Sequence, residues 1–231
     1  MDLEIEGNAA LVTASSSGLG KASAIALARD GANVVVNGRD EDRLADAVEE
    51  FGGLDHLVTS AGGPPSGPFL ETNDEDWYDA YDLLVMSVVR LVREGTPHLR
   101  DGDGGTVVTI TSRSVKESID ALVLSNSVRM SVIGLEKTLS KELAPEVRAN
   151  AVLPGAHETA RIRELVEQGV ERGDYESYEA GVSERGQANP LGRIGDPMEL
   201  GNTAAFLSSP KSGYINGESV IVDGGQSAGN L

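Results

Sequence analysis

The chain has no cysteine, which removes disulfides, thiolate metal sites and cysteine nucleophiles by counting alone and leaves the redox environment open. It is also poor in positive charge. Lys and Arg total 19 against 37 Asp and Glu, a formal net charge of −18 over 231 residues. That balance repels phosphate backbones and anionic lipid surfaces, so neither nucleic acid nor membrane is an expected partner. No apolar run approaches the roughly 20 residues that a membrane helix needs. The start, Met1-Asp2-Leu3-Glu4-Ile5-Glu6, lacks the basic segment and apolar stretch of a signal peptide, and a cytoplasmic protein is the expectation. The histidines, His56, His98 and His157, are scattered without His-Glu-x-x-His spacing, so no metal site is indicated.

The carboxylates that are present are spread along nearly the whole sequence, and of the basic residues only five are lysine. A dispersed acidic, lysine-poor surface suits concentrated salt, where the Debye length falls to about 3 Å at 1 M and self-repulsion is screened. A docking face for a basic partner would instead gather the charge in one block. The expectation is a halophilic protein that loses structure or activity when salt is removed.

Hydrophobic residues make up 39% of the chain, enough for one sizeable core. Short β-rich runs at 9–13, 33–37, 56–60, 106–111, 147–153 and 219–222 alternate with amphipathic stretches at 21–30, 74–94 and 123–144. The β runs are apolar on successive positions, as in Val34-Val35-Val36, which suits strands covered on both faces in a parallel sheet. The second amphipathic stretch opens with Thr72-Asn73-Asp74-Glu75, a helix-start pattern. In the third, Val128, Val132, Leu135, Leu139 and Leu143 recur at helical spacing before Pro145 ends the run. Strand and helix signals lapse over 160–192, a polar, acidic, glycine-punctuated stretch. Two readings stand for it: a substrate lid over the crevice at the strands' carboxyl ends, or a surface insertion.

The first β run ends in Thr13-Ala14-Ser15-Ser16-Ser17-Gly18-Leu19-Gly20 and a helix follows at once. Small residues therefore sit where backbone passes close to a pyrophosphate, and the helix N-terminus favours the anion. Further along come Leu57-Val58-Thr59-Ser60-Ala61-Gly62-Gly63, Ile110-Thr111-Ser112, Pro154-Gly155-Ala156-His157-Glu158-Thr159, and the closing run Leu191-Gly192-Arg193, Ala205-Phe206-Leu207 and Val222-Asp223-Gly224-Gly225. In this order the segments resemble the short-chain dehydrogenase/reductase family across nearly the whole chain, with a closing signature similar to its 3-oxoacyl-carrier-protein reductase branch. Ala14 stands for the usual first glycine and Ser60 for an asparagine.

The resemblance implies a Rossmann-like, doubly wound parallel α/β sheet in a single domain. It also implies a nicotinamide cofactor, a small-molecule carbonyl or alcohol substrate, and a homodimer or homotetramer. It places Ala14, Ser15, Ser17, Gly18, Leu19, Gly20, Ser60, Ala61, Gly62, Arg129, Pro154, Gly155 and Thr159 against that cofactor. At the end of the second strand the run Asn37-Gly38-Arg39 offers no carboxylate to repel a 2′-phosphate and places an arginine nearby, which favours NADP(H) over NAD(H).

Two departures from the family stand out. Between the second strand and Leu57 only one helix, over 41–50, fits, about one βα unit fewer than the family norm. Right-handed crossovers then predict a six-stranded sheet of order 2-1-3-4-5-6. The second departure is catalytic: of the family's Asn, Ser, Tyr and Lys only Ser112 survives, with Leu84, Ser125 and Arg129 at the other positions. A serine hydroxyl lacks a phenol's acidity and arginine is a poor acid. Ser112 and Arg129 can still stabilise an oxyanion while water supplies the proton, with Ser125 on the same helix face as Arg129. Lys116 is a further candidate acid if burial lowers its pKa; His157, Tyr175 and Tyr178 are others. The alternative is a catalytically silent cofactor-binding protein, acting as a sensor or oligomer subunit.

Overall fold

In the computed structural model residues 1–37, 51–102 and 104–229 are described. The expected helix over 41–50 and the cofactor positions Gly38 and Arg39 lie outside them. Six strands, β1 (Ala9–Val12), β2 (Asn33–Val36), β3 (His56–Thr59), β4 (Gly105–Ile110), β5 (Val147–Pro154) and β6 (Ser219–Val222), form one sheet. Its order is β2-β1-β3-β4-β5-β6 and every pair is parallel, the order that right-handed crossovers require.

Alternation along the strands divides the core in two. Ala10, Val12, Val58, Val108, Ile110 and Val152 face α1 (Gly18–Arg29) and α7 (Pro197–Ser208). Those two helices approach so closely that a Cβ on Gly201 would lie 2.5 Å from Ala22 O. Leu11, Leu57, Val107 and Ala149 face the other layer, made by α2 (Asp74–Tyr81), α3 (Ser87–Leu99) and α4 (Val123–Glu142). Each buried Val, Leu or Ile among them contributes about 1.5–3 kcal/mol relative to exposure.

The 74–94 stretch is not one regular helix. A capping box on Asn73 and Asp76 starts α2, as the sequence pattern predicts. A π-helical turn, Asp82–Met86, then interrupts the run, and α3 continues through Pro97. The 160–192 stretch, where sequence signals lapse, holds two helices, α5 (Ala160–Arg172) and α6 (Tyr178–Gln187). Glycines there made the pattern look loop-like, yet they serve packing. The ring of Tyr175 lies where Cβ atoms on Gly169 and Gly181 would sit, at 2.5 and 2.8 Å.

Candidate active site

The loop after β1 is shaped by backbone. Ala14 holds φ +47° and Gly18 φ +58°, left-handed values that turn the chain sharply into α1. A Cβ on Gly20 would lie 2.5 Å from Ala14 O, so the helix can start this close to the strand only with glycine there. Ser15 is buried and locks the loop to the end of β2: its Oγ donates to Val12 O at 2.7 Å and accepts from Asn37 N at 2.9 Å. Thr13 does the same towards β3, donating to Ser60 O and accepting from Ser60 N, both at 2.9 Å. Ser17 is the N-cap of α1 but makes no side-chain cap, which leaves first-turn N–H groups for a ligand. Asn37 is buried and its Oδ1 has no partner among the described residues. An orphaned amide beside this loop is an observation that fits an adenosine ribose, and the small-residue cradle fits a pyrophosphate.

At the carboxyl ends of β3 and β4 lies a polar pit. Arg129, on α4, is 8% exposed. Its Nε donates to Ser125 Oγ at 3.1 Å and its Nη2 to Gly62 O at 3.1 Å. Ser125 Oγ lies 3.3 Å from Ser114 Oγ, and Ser114 N donates to Ser112 Oγ at 3.1 Å. Ser112 thus caps a short 3₁₀ turn at the end of β4, and one chain of hydrogen bonds runs from Gly62 through Arg129 and Ser125 to Ser112. Burial, and the nearby charge of Arg161, pull the Arg129 pKa down to about 10; the group stays a cation at neutral pH. A cavity of about 10 Å³ borders Arg129, Ser60, Leu84 and Thr109, room for about one water.

The third wall comes from the end of β5. Gly155 N donates to Val222 O at 2.9 Å, and a Cβ on Gly155 would lie 2.6 Å from Asp223 Cβ. Thr159 is the N-cap of α5, its Oγ1 accepting from Ile162 N, and its Cγ2 lies 3.7 Å from a Cβ placed on Gly18. A crevice of about 800 Å³ opens beside Gly18 and Thr159. Two links tie α5 to the loop after β3: Arg161 Nη2 donates to Pro64 O at 3.0 Å, and Ser66 Oγ to Gln168 Oε1 at 2.6 Å.

Profiles for the families described as enoyl-(acyl carrier protein) reductase and short chain dehydrogenase match residues 42–227 and 8–52. The human dehydrogenase/reductase SDR family member 2, mitochondrial, is 33% identical, covering 93% of this chain and 85% of that protein. The chain belongs to the short-chain dehydrogenase/reductase family. The short-chain reductase protein NovJ of Streptomyces niveus is 30% identical, covering 94% of this chain and 93% of its own. L-sorbose reductase from Gluconobacter frateurii, solved with NADPH and L-sorbose, superposes with a TM-score of 0.88 at 27% identity. The match covers 99% of this chain and all of that one.

The fold brings together most residues that the sequence singles out in this short-chain dehydrogenase/reductase. Ala14 to Gly20, Asn37, Ser60 to Gly62, and Pro154, Gly155 and Thr159 line the carboxyl ends of the strands; Ser112, Ser125 and Arg129 share one hydrogen-bonded array. Lys116 does not join it. It is exposed at the end of the 3₁₀ turn, so the burial that an acid role requires is missing. His157 is buried, its ring beside Gly155 O at 3.2 Å and packed on Gly195. Desolvation lowers its pKa, and it is neutral at pH 7. Tyr175 is packed between α5 and α6, and Tyr178 lies under Arg163.

Two features escaped the sequence reading. Leu84 falls within the π-helical turn and is buried, so an irregular helix stands at the position that the sequence matches to the family's asparagine. Glu136, on α4, is buried; its Oε1 accepts from Thr109 Oγ1, which in turn accepts from Thr59 Oγ1 at 2.8 Å, while its Oε2 has no partner among the described residues. Burial raises its pKa to about 8. Its helical neighbours Val132, Ile133 and Leu139 are apolar, and the periodicity reads straight through it.

Proposed function

We propose that this protein is an NADP(H)-dependent oxidoreductase that interconverts a carbonyl and an alcohol through a non-standard active site. The observation that carries this reading is the hydrogen-bonded array of Arg129, Ser125, Ser114 and Ser112 at the strand ends beside the phosphate loop. When bound, the nicotinamide supplies the hydride. Ser112 and Ser125 orient the substrate oxygen and Arg129 stabilises the charge that develops on it; a proton from water completes the alcohol. The phosphate loop and the N-terminus of α1 take the pyrophosphate, Asn37 the adenosine ribose, and Gly62 and Thr159 the nicotinamide end.

Preference for NADP(H) rests on the neutral amide of Asn37, which does not repel a 2′-phosphate. The helices α5 and α6 act as the lid, held by the Arg161–Pro64 and Ser66–Gln168 links. Exposed Tyr78, Tyr81, Leu83 and Met130 on the α2–α4 layer support a homodimer or homotetramer, which sedimentation measures.

A second reading is favoured by one observation: Leu84 is buried, and none of the tyrosines of the described residues belongs to the Arg129 array. On that reading the protein binds NADP(H) as a sensor and turns nothing over. Equilibrium binding of NADPH and NADH, followed by nucleotide oxidation with a carbonyl panel, separates the two. Saturable NADPH binding with turnover supports the reductase; binding without turnover supports the sensor. If a folded protein binds neither nucleotide, both fall.

A further inference from the structure

Arg129 is more than nine-tenths buried and carries its charge without an anion. Its protein partners are a serine hydroxyl and a main-chain carbonyl, and among the described residues no carboxylate lies within ion-pair distance of it. Two hydrogen bonds occupy two of the five N–H donors of its guanidinium. Buried cations are normally paired, because removing a lone charge from water is expensive. In a chain with 37 acidic residues, an unpaired buried arginine marks a place where the counter-ion comes from outside.

A second cation stands next to it. Arg161, near the N-terminus of α5, donates to Pro64 O, while Arg129 donates to Gly62 O. The two carbonyls are two residues apart, about 7 Å of backbone at most, and the charge of Arg161 is near enough to lower the Arg129 pKa, so the two guanidiniums are neighbours at the strand ends. Arg161 lies directly over Gly63, its Nε 2.8 Å from where a Cβ would be, so glycine is required for the guanidinium to sit there. Its ion pair with Glu164, at 2.9 Å, is half exposed on the glutamate side. Such a surface pair contributes little and exchanges readily for a better partner.

We infer that the carbonyl substrate carries a carboxylate beside the reacting carbon, as in a 2-oxo or 3-oxo acid, and that Arg161 holds the carboxylate while Arg129 faces the carbonyl oxygen. A planar carboxylate matches the two-pronged donor geometry of a guanidinium. This inference deepens the proposed reductase function and rests on it. Arg161 acts as a specificity-determining residue, and Glu164 is the surface partner that the carboxylate displaces.

The test compares short 2-oxo and 3-oxo acids with their methyl esters as substrates for NADPH oxidation, in the wild type, Arg161→Gln and Glu164→Gln. The wild type is expected to favour the acids in kcat/KM by at least about 10-fold. Arg161→Gln raises KM for the acids by about 10-fold or more with kcat less affected, and so abolishes the preference for acids over esters. Glu164→Gln keeps the acid preference. Calorimetric titration of oxalate, an unreactive dianion, into the protein gives saturable binding that Arg161→Gln abolishes. Equal use of acids and esters by the wild type overturns the inference and leaves the reductase standing. Oxalate binding through Arg161 without turnover of any carbonyl keeps the anion site and removes the reductase. Absence of oxalate binding in a protein that binds NADPH overturns the anion site itself.

Discussion

The two faces of the sheet use the same alternating strands for different ends. Towards α1 and α7 the strands present Ala10, Val12, Val58, Val108, Ile110 and Val152, and the polar side chains on that face, His56, Thr106, Arg148 and Asn150, lie towards the strands' amino ends. Towards α3 and α4 the pattern begins apolar, with Leu11, Leu57 and Val107. Near the carboxyl ends it then turns polar, with Thr59, Thr109 and Thr111 meeting Glu136 and Arg129. On the first face the guanidinium of Arg148 is satisfied by the main-chain carbonyls of Leu207, Ser209, Ser212 and Ile215, away from the strands' carboxyl ends, so that face serves stability. The second carries a cation and a carboxyl group in a low-dielectric setting, where each is costly to folding and strong in its effect on a ligand. Cost and chemistry therefore sit on the same face, at the end where α/β sheets place their ligands.

The comparison breaks most sharply at Arg129. Arg129→Met replaces a buried, unpaired cation with a side chain of similar length, so NADPH-dependent turnover should fall by about 10³-fold while the melting temperature holds or rises. Retained turnover would move the chemistry elsewhere. On the same face, Glu136 is neutral when folded below about pH 8 and ionises near its ordinary value when unfolded. As pH rises from about 4.5 the unfolded chain loses this proton while the folded one keeps it, so stability falls until about pH 8 and then levels off. Glu136→Gln should remove that slope and stabilise the protein at pH 8 by about 2–4 kcal/mol. Denaturant titrations of both proteins at pH 5 and pH 8 check it, and parallel slopes would count against a buried neutral carboxyl.

Gly201→Ala probes the apolar face. The added methyl meets the backbone of α1 at Ala22, and a loss of about 1–3 kcal/mol is expected with KM for NADPH unchanged. A changed KM would show that the two faces are not separable. The smallest effect concerns neither face but the exposed carboxylates outside both. Transfer from molar potassium chloride to low salt should lower the melting temperature by at least about 4 °C. An unchanged value would remove the halophilic reading and leave the acidity to be explained by a basic partner.

Much of the fold was legible because its elements answer to local rules. The six strands are short apolar runs, the capping box at Asn73 announces α2, and the residues from Thr13 to Gly20 spell a turn that only small side chains permit. Right-handed crossovers then leave one strand order. The π-helical turn at Leu84 was not legible, since its cause lies in contacts made after folding. Nor were α5 and α6, whose glycines at 169 and 181 look like loop punctuation until Tyr175 is seen lying against them.

The site divides along the same line. Sequence spacing alone put Ser125 and Arg129 four apart on one helix and Ser112 at the end of a strand, because period and punctuation are local properties. That Arg129 is buried without a counter-ion among the described residues, that Arg161 reaches Pro64, that Glu136 faces Thr109 and that Lys116 is exposed were decided only by tertiary structure. Each of these is a statement about dielectric and neighbours, and a charge acquires its cost and its chemistry only when folding determines what surrounds it.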